Sequence, residues 1–182
     1  MRVLILSDTH GRLDHRIAAI AASCDWVLHG GDIGNIAVLR TLHPRIRVLA
    51  VRGNNDSHDK WPADERAELE TLPWVATCDL PGGQIAVVHG HRVAPASRRH
   101  ERLRQQFPAA RAVVYGHSHH LALDTTAQPW VLNPGAAGRE RTFGGPSCIL
   151  LTADPTGWTL EPLRFTLADQ SSDTRDGTCP SA

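Results

Sequence analysis

Residues 2–11 read RVLILSDTHG, a run of branched aliphatic residues closed by a polar turn that carries Asp8 and His10. The next dozen residues place Leu13, Ile17 and Ile20 at helical spacing, so the segment predicts a strand followed by a helix. The pattern returns as WVLHGGD at 26–32, ahead of a helical stretch carrying Ile36, Leu39 and Leu42, and again as IRVLAVRGNND at 46–56. Strands alternating with helices predict parallel βα units. QIAVVHGH at 84–91 is a fourth buried-strand candidate, placed before an Arg-rich helical stretch at 97–107, and AVVYGHSHH at 112–120 is a fifth. From residue 121 the rhythm changes. LALDTT, PWVLNPG, SCILLTA and WTLEPLRFTL look like successive strands with Gly and Pro turns between them, which predicts an antiparallel section added to the parallel one. βα units first and strands later fit two sheets packed face to face with helices outside.

The chain has 182 residues, enough for one domain with a continuous core. Its 19 Lys and Arg balance 19 Asp and Glu, so no whole-protein field exists to hold nucleic acid or an anionic membrane. A hydrophobic content of 41% with 21% charged residues excludes wholesale disorder. No stretch approaches the roughly 18 apolar residues of a spanning helix. The first apolar run is too short for a secretory leader, so a cytoplasmic protein is expected. Cys24, Cys78, Cys148 and Cys179 form no Cys-x-x-Cys pair, which excludes a zinc ribbon and leaves them as small buried residues or tail chemistry. Residues 1–167 are expected to form the domain. Residues 168–182 lack apolar periodicity and are expected to be a disordered tail.

Eleven residues are histidine, the commonest metal ligand among side chains. Several are arranged rather than scattered. Asp8 and His10 close the first apolar run, Asp32 the second, Asn54 the third, His89 the fourth, and His117 and His119 the fifth. The carboxyl ends of parallel strands share one edge of a sheet, where ligands bind in the crevice between loops, so these seven side chains are expected to converge. Asp8 and His10, like His117 and His119, lie two apart, which in an extended segment turns both to one side. Two Asp, one Asn and four His form an oxygen and nitrogen set without sulfur, suited to Mn, Fe, Ni, Co or Zn rather than Ca or Mg. One ion does not need seven ligands. Two ions sharing a bridging carboxylate divide them, and ions about 3.5–4 Å apart are the recurring device for clamping a phosphoryl group. A helix N-cap explains a lone Asp after a strand, and a turn explains Asn54 beside Gly53. Five strand ends with matching chemistry outweigh those readings and point to a dinuclear hydrolase.

DTHG at 8–11, GGD at 30–32, GNND at 53–56, VHGH at 88–91, GHSH at 116–119 and NPG at 133–135 stand in the order and rough spacing of the calcineurin-like metallophosphoesterases. The sequence resembles that superfamily over residues 1–165, and within it the small single-domain YfcE-type phosphodiesterase branch. The resemblance implies an α/β fold, a four-layer α/β/β/α sandwich of two mixed sheets. It implies that Asp8, His10 and His119 hold one divalent ion, that Asn54, His89 and His117 hold the other, and that Asp32 bridges them. Mn2+ is the expected metal, with Ni2+, Fe2+, Co2+ or Zn2+ as alternatives. The implied activity is a phosphodiesterase in which a hydroxide bridging the ions attacks phosphorus in line with the leaving oxygen.

One position departs from the common pattern. Many members have His at the second variable place of the GNxD block, where it is taken to protonate the leaving group or contact the phosphate, and Asn55 stands there. An amide cannot act as a general acid. Asn55 is therefore left as a phosphate contact, and His91, then His58, are the candidate proton donors. Arg52 is expected near a phosphate or paired with Asp32 or Asp56. Arg98, Arg99, Arg102 and Arg104 with His100 read as a solvated helix face. His15, His29, His43, His100 and His120 are expected on the surface, in the core or behind the ligands. The five Trp are dispersed and form no base-stacking platform. The expected partner is a small phosphoester substrate, with no nucleic-acid-binding module and no membrane, and self-association is left open. The alternative from another class is a non-catalytic protein-binding scaffold on the same fold, like the retromer subunit that resembles this family. Such scaffolds tend to replace metal residues, and all seven are present here.

Overall fold

Val3, Leu4, Ile5 and Leu6 are all fully buried, which requires a central strand covered on both faces. Strand β1 (Arg2–Leu6) sends Val3 and Ile5 to one side and Leu4 and Leu6 to the other, following the two-residue period of a strand. The first pair meets Ile85, Val87, Val114 and Leu132 of a second sheet. The second pair packs against Ile17 and Ala21 of helix α1 (His15–Ala21). The structure, a computed structural model, describes residues 1–166. The tail expected at 168–182, with Cys179, lies outside the described residues.

The first sheet has the order β10-β9-β1-β2-β3, with β2 at Trp26–His29, β3 at Arg47–Ala50, β9 at Ser147–Asp154 and β10 at Gly157–Arg164. β1, β2 and β3 are parallel, as the βα rhythm requires. The second sheet has the order β4-β5-β6-β8-β7, with β4 at Val75–Leu80, β5 at Gly83–Val88, β6 at Ala112–Val114, β7 at Leu121–Asp124 and β8 at Trp130–Pro134. On its outer face, Leu103 of helix α4 (Arg99–Gln106) packs against Ala86, Val113 and Val131. Two short helices, α2 (Ile36–Arg40) and α3 (Arg66–Thr71), enclose Ile33, Val38, Ala50, Trp61 and Leu69 beside β3. This is the four-layer α/β/β/α sandwich of two mixed sheets. Among the described residues no helix is long and apolar enough to cross a membrane.

Two features differ from expectation. β4 carries little apolar signal because only Cys78 and Leu80 of VATCDL are buried, as befits an edge strand. It pairs antiparallel with β5, so the second sheet begins with a hairpin rather than a βα unit. The last four strands also do not form a section of their own. β7 and β8 extend the second sheet, where β8 is parallel to β6, while β9 and β10 return to the first, antiparallel beside β1. Hydrophobic runs specify that strands exist, but not which sheet edge each one joins.

The helix caps are Asp14 for α1, which accepts from Arg16 N, and Asn35 for α2, which accepts from Val38 N. Asp8 and Asp32 are therefore free of the capping role that a lone Asp would suggest. Cys24, Cys78 and Cys148 are buried free thiols, and burial pushes Cys148 up to about 12 and Cys78 up to about 11. His29 is fully buried behind the loops. It accepts from Gly31 N at 3.2 Å through Nδ1 and meets Thr9 Oγ1 at 3.0 Å through Nε2. Burial lowers its pKa from 6.5 to about 4, so it folds as a neutral ring. The unfolded chain protonates this group first, so its contribution is intact above pH 6.5 and falls as pH drops towards 4. Urea unfolding of the wild type should lose on the order of 3 kcal/mol from this group between pH 7 and pH 4. His29→Gln should remove that part of the slope, and an unchanged slope would contradict the assignment.

Candidate metal centre

The loops after β1, β2 and β3 in one sheet and after β5 and β6 in the other meet at one end of the sandwich. They are laced by the main chain: Asp8 N donates to Gly31 O at 2.9 Å, His10 N to Asp32 O at 3.0 Å and Gly116 N to His89 O at 3.1 Å. All seven expected side chains meet there. Ligand atoms of Asp8, His10, Asp32 and His119 lie within 4.8 Å of one another. His119 Nε2 is 3.2 Å from Asp8 Oδ1 and 3.2 Å from His10 Nε2, which is 3.8 Å from Asp32 Oδ2. On the other side, Asn54 Oδ1 is 3.1 Å from His89 Nε2 and 3.0 Å from His117 Nδ1, and His89 Nε2 is 3.3 Å from Asp32 Oδ1. The two oxygens of Asp32 thus face different groups of side chains.

The backbone explains how residues two apart point into one site. Asp8, His10, Asp32, His117 and His119 have φ of 55°, 46°, 54°, 67° and 58°, and among the described residues the only other non-glycine with positive φ is Arg141. The pairs converge through left-handed turns, not through the extended alternation expected from their spacing. A left-handed conformation costs a non-glycine residue roughly 1 kcal/mol or more. Close approach demands glycine at two places: a Cβ on Gly53 would stand 2.0 Å from Asp32 Oδ1, and one on Gly116 would stand 2.8 Å from Asp8 Oδ2.

The chemistry of the donor set calls for a cation. His89 Nδ1 donates to Gly30 O at 2.8 Å, which leaves the lone pair of the neutral ring on Nε2. That atom faces Asp32 Oδ1 and Asn54 Oδ1, both acceptors. A proton or a metal ion must stand between such lone pairs, and imidazole held by a carbonyl at its far nitrogen is the usual form of a histidine ligand. Burial opposes charge on each ring. It prevails at His10 and His117, whose pKa values fall. At His89 and His119 the carboxylates of Asp32 and Asp8 outweigh it, and the pKa values rise. Burial also resists ionisation of Asp32, but hydrogen bonds with His89 and Asn55 hold its carboxyl far below the usual range. The oxygen and nitrogen donors at these positions fit divalent cations.

The remaining candidates lie around this set. Asn55 donates to Asp32 through N at 2.8 Å and Nδ2 at 2.6 Å. The His91 ring is 5.4 Å from that of His89 and 6.2 Å from that of His117. Burial, with His89 nearby, pushes His91 down to about 4, and its Nδ1 is buried without a hydrogen bond. His58 is bonded to Glu70. Arg52 contacts neither Asp32 nor Asp56: its guanidinium bonds to Leu69 O and lies 3.0 Å from Glu70. The arginines of the 97–107 stretch are engaged locally, Arg98 with Glu101 and Arg104 with Asp124. Two supporting residues went unassigned in the sequence although both stand in the quoted motifs. Asp56 accepts from the main-chain N–H groups of Ile33, Gly34 and Gly53 and from Trp61 Nε1, which ties the second loop to the third. Asn133 donates to Gly116 O and Ser118 Oγ, both at 2.9 Å, and steadies the loop of His117 and His119.

A family model described as a calcineurin-like phosphoesterase superfamily domain matches residues 1–156. The chain belongs to that superfamily. Its relatives include a probable metallophosphoesterase of Methanocaldococcus jannaschii, 27% identical over 142 residues that cover 75% of this chain and 68% of that protein. A phosphodiesterase of the same organism is 25% identical over 167 residues, covering 86% and 90%. Among solved structures, a single mutant of Vps29 from Entamoeba histolytica superposes with a TM-score of 0.71 at 19% identity, covering 91% of this chain and all of that one. At that identity the likeness shows the fold, which carries both enzyme names and the name of a sorting protein. Gly53→Ala drives a methyl into Asp32 and should weaken Mn2+ binding at least about tenfold, read by isothermal titration on protein that remains folded by circular dichroism. Unchanged affinity would separate Asp32 from the metal site.

Proposed function

We propose that the chain is a dinuclear metal-dependent phosphoesterase, suited above all to phosphodiesters. The observation that carries this reading is the division of Asp32, with Oδ1 towards His89 and Oδ2 towards His10. Asp8, His10 and His119 would hold one ion, Asn54, His89 and His117 the other, and Asp32 both. Bound there, two ions of the Mn2+ type would supply positive charge against phosphoryl oxygens and a nucleophilic water at neutral pH. The chain's part is to fix this set before substrate arrives. Asn55 and Gly53 position the Asp32 carboxylate, Gly30 O sets the His89 tautomer, and Asp8 accepts from His117 N.

A cavity of about 180 Å³ adjoins these residues, bordered by His89, His91, Trp74, Val75, Arg92 and Val93. Its apolar walls offer room for an organic group on phosphorus, which favours a diester over free phosphate. The His91 ring stands at its edge, 5.9 Å from Trp74, and we assign it to the leaving-group side. Asn55 is assigned to the phosphate. A protein-binding scaffold on this fold has no need of seven converging donors or of left-handed backbone at five of them. Purified protein should hydrolyse bis(4-nitrophenyl) phosphate when Mn2+ is supplied and stop when the ion is chelated. Asp32→Asn should lower turnover by more than about a hundredfold, since even residues behind the ligands cost ten- to hundredfold. Protein that neither takes up Mn2+, Ni2+ or Zn2+ nor hydrolyses any phosphoester would favour the scaffold.

A further inference from the structure

Lys60 is the only lysine among the 19 Lys and Arg residues of the chain, and it lies against the metal centre. Its Nζ donates to Asn55 Oδ1, and Asn55 Nδ2 donates in turn to Asp32 Oδ2 at 2.6 Å. The ammonium is therefore two hydrogen bonds from the carboxylate at the middle of the ligand set. The backbone beneath it is fixed. Lys60 N and Trp61 N both donate to Ser57 O, Trp61 is 3% exposed, and Trp61 Nε1 bonds to the same Asp56 carboxylate that ties the loops together. The side chain itself is exposed. A short anchored turn thus presents an exposed cation to Asn55.

Asn55 spends its N–H and one hydrogen of its amide Nδ2 on Asp32, and its Oδ1 can only accept. An anion arriving beside Asp32 finds on Asn55 only the second Nδ2 hydrogen, a neutral donor. It also meets Lys60, whose ammonium bonds a neutral amide oxygen and gains Coulomb attraction when that acceptor is exchanged for an anionic oxygen. A compact ammonium on a flexible stem makes that exchange more easily than a guanidinium fork held at two points. We propose that Lys60 is a substrate-contacting residue that leaves Asn55 to bind a non-bridging phosphoryl oxygen, with a contribution that is larger for a dianionic phosphoryl group than for the monoanionic diester that the adjoining cavity favours. The proposal rests on the reading of the site as a phosphoesterase centre. Coulomb attraction scales with the charge on the phosphoryl group, so loss of Lys60 costs a dianion more than a monoanion.

The single lysine makes a direct test available. Wild-type protein with Mn2+ is treated with acetic anhydride, with and without inorganic phosphate, and labelling is followed by peptide mass spectrometry. The amino terminus, bonded to Ala153 O, serves as the internal reference. Phosphate should slow labelling of Lys60 by about tenfold, the scale of a hydrogen bond to a charged group, and leave the terminus unchanged. Equal labelling of Lys60 with and without phosphate overturns the proposal. In kinetics, Lys60→Met should reduce turnover of 4-nitrophenyl phosphate, a dianion, more than that of bis(4-nitrophenyl) phosphate, a monoanion. Lys60→Arg should recover part of the difference. An equal loss on both esters would mean that Lys60 acts only by positioning Asn55 and Asp32, which also overturns it. A wild type that hydrolyses neither ester counts against the phosphoesterase reading, while the labelling result still decides whether Lys60 meets phosphate.

Discussion

Asp32 is a buried carboxylate whose two oxygens each accept one hydrogen bond from Asn55 and otherwise face the ring nitrogens of His89 and His10. His89 Nε2 stands 3.3 Å from one oxygen and His10 Nε2 3.8 Å from the other, while Asn54 Oδ1 is 3.1 Å from that same His89 nitrogen and Asp8 Oδ1 is 3.2 Å from His119 Nε2. Beyond the two bonds from Asn55, a proton or a metal ion must stand between the facing lone pairs. Much of the surrounding architecture serves to hold these groups together. Two sheets deliver loops from five strand ends, left-handed turns aim the side chains, and Asp56 and Asn133 stitch the loops to one another. The core between the sheets, from Val3 and Ile5 to Ile85 and Val114, gives the loops a rigid base.

The parallel half of the fold was legible in the sequence because fully buried strands leave continuous apolar runs. Four of β1's five residues have no exposure, and the run VLIL shows it. β4 was not legible, because an edge strand with alternating exposure yields Val-Ala-Thr-Cys-Asp-Leu, whose apolar signal is faint. The placement of β8 beside β6, and of β9 beside β1, depends on long-range pairing that no local pattern encodes. The convergence of the seven candidate side chains was legible for a different reason: residue type and place at a strand end together imply it. What the spacing missed was the means, since Asp8 and His10 share a direction through left-handed φ. Lys60 was invisible as a participant, because its contact with Asn55 comes from the turn at 57–61 and not from any motif.

Charge balance also takes a specific meaning. The chain carries equal numbers of acidic and basic residues, and many of the arginines are engaged in pairs away from the ligand set, as Arg52 is with Glu70 and Arg104 with Asp124. In the proposed function an anionic substrate would be met by cations held locally rather than by a global field. The same fold supports enzymes and a sorting protein by name, so function here is carried by the site and not by the sandwich.

The central claim is that one carboxylate, Asp32, is shared between two metal ions. Crystals soaked in Mn2+ and measured at its absorption edge test it most directly. The account predicts two anomalous peaks, one on each side of Asp32, the first among Asp8, His10 and His119 and the second among Asn54, His89 and His117. A single peak, or two peaks of which neither touches Asp32, would contradict it.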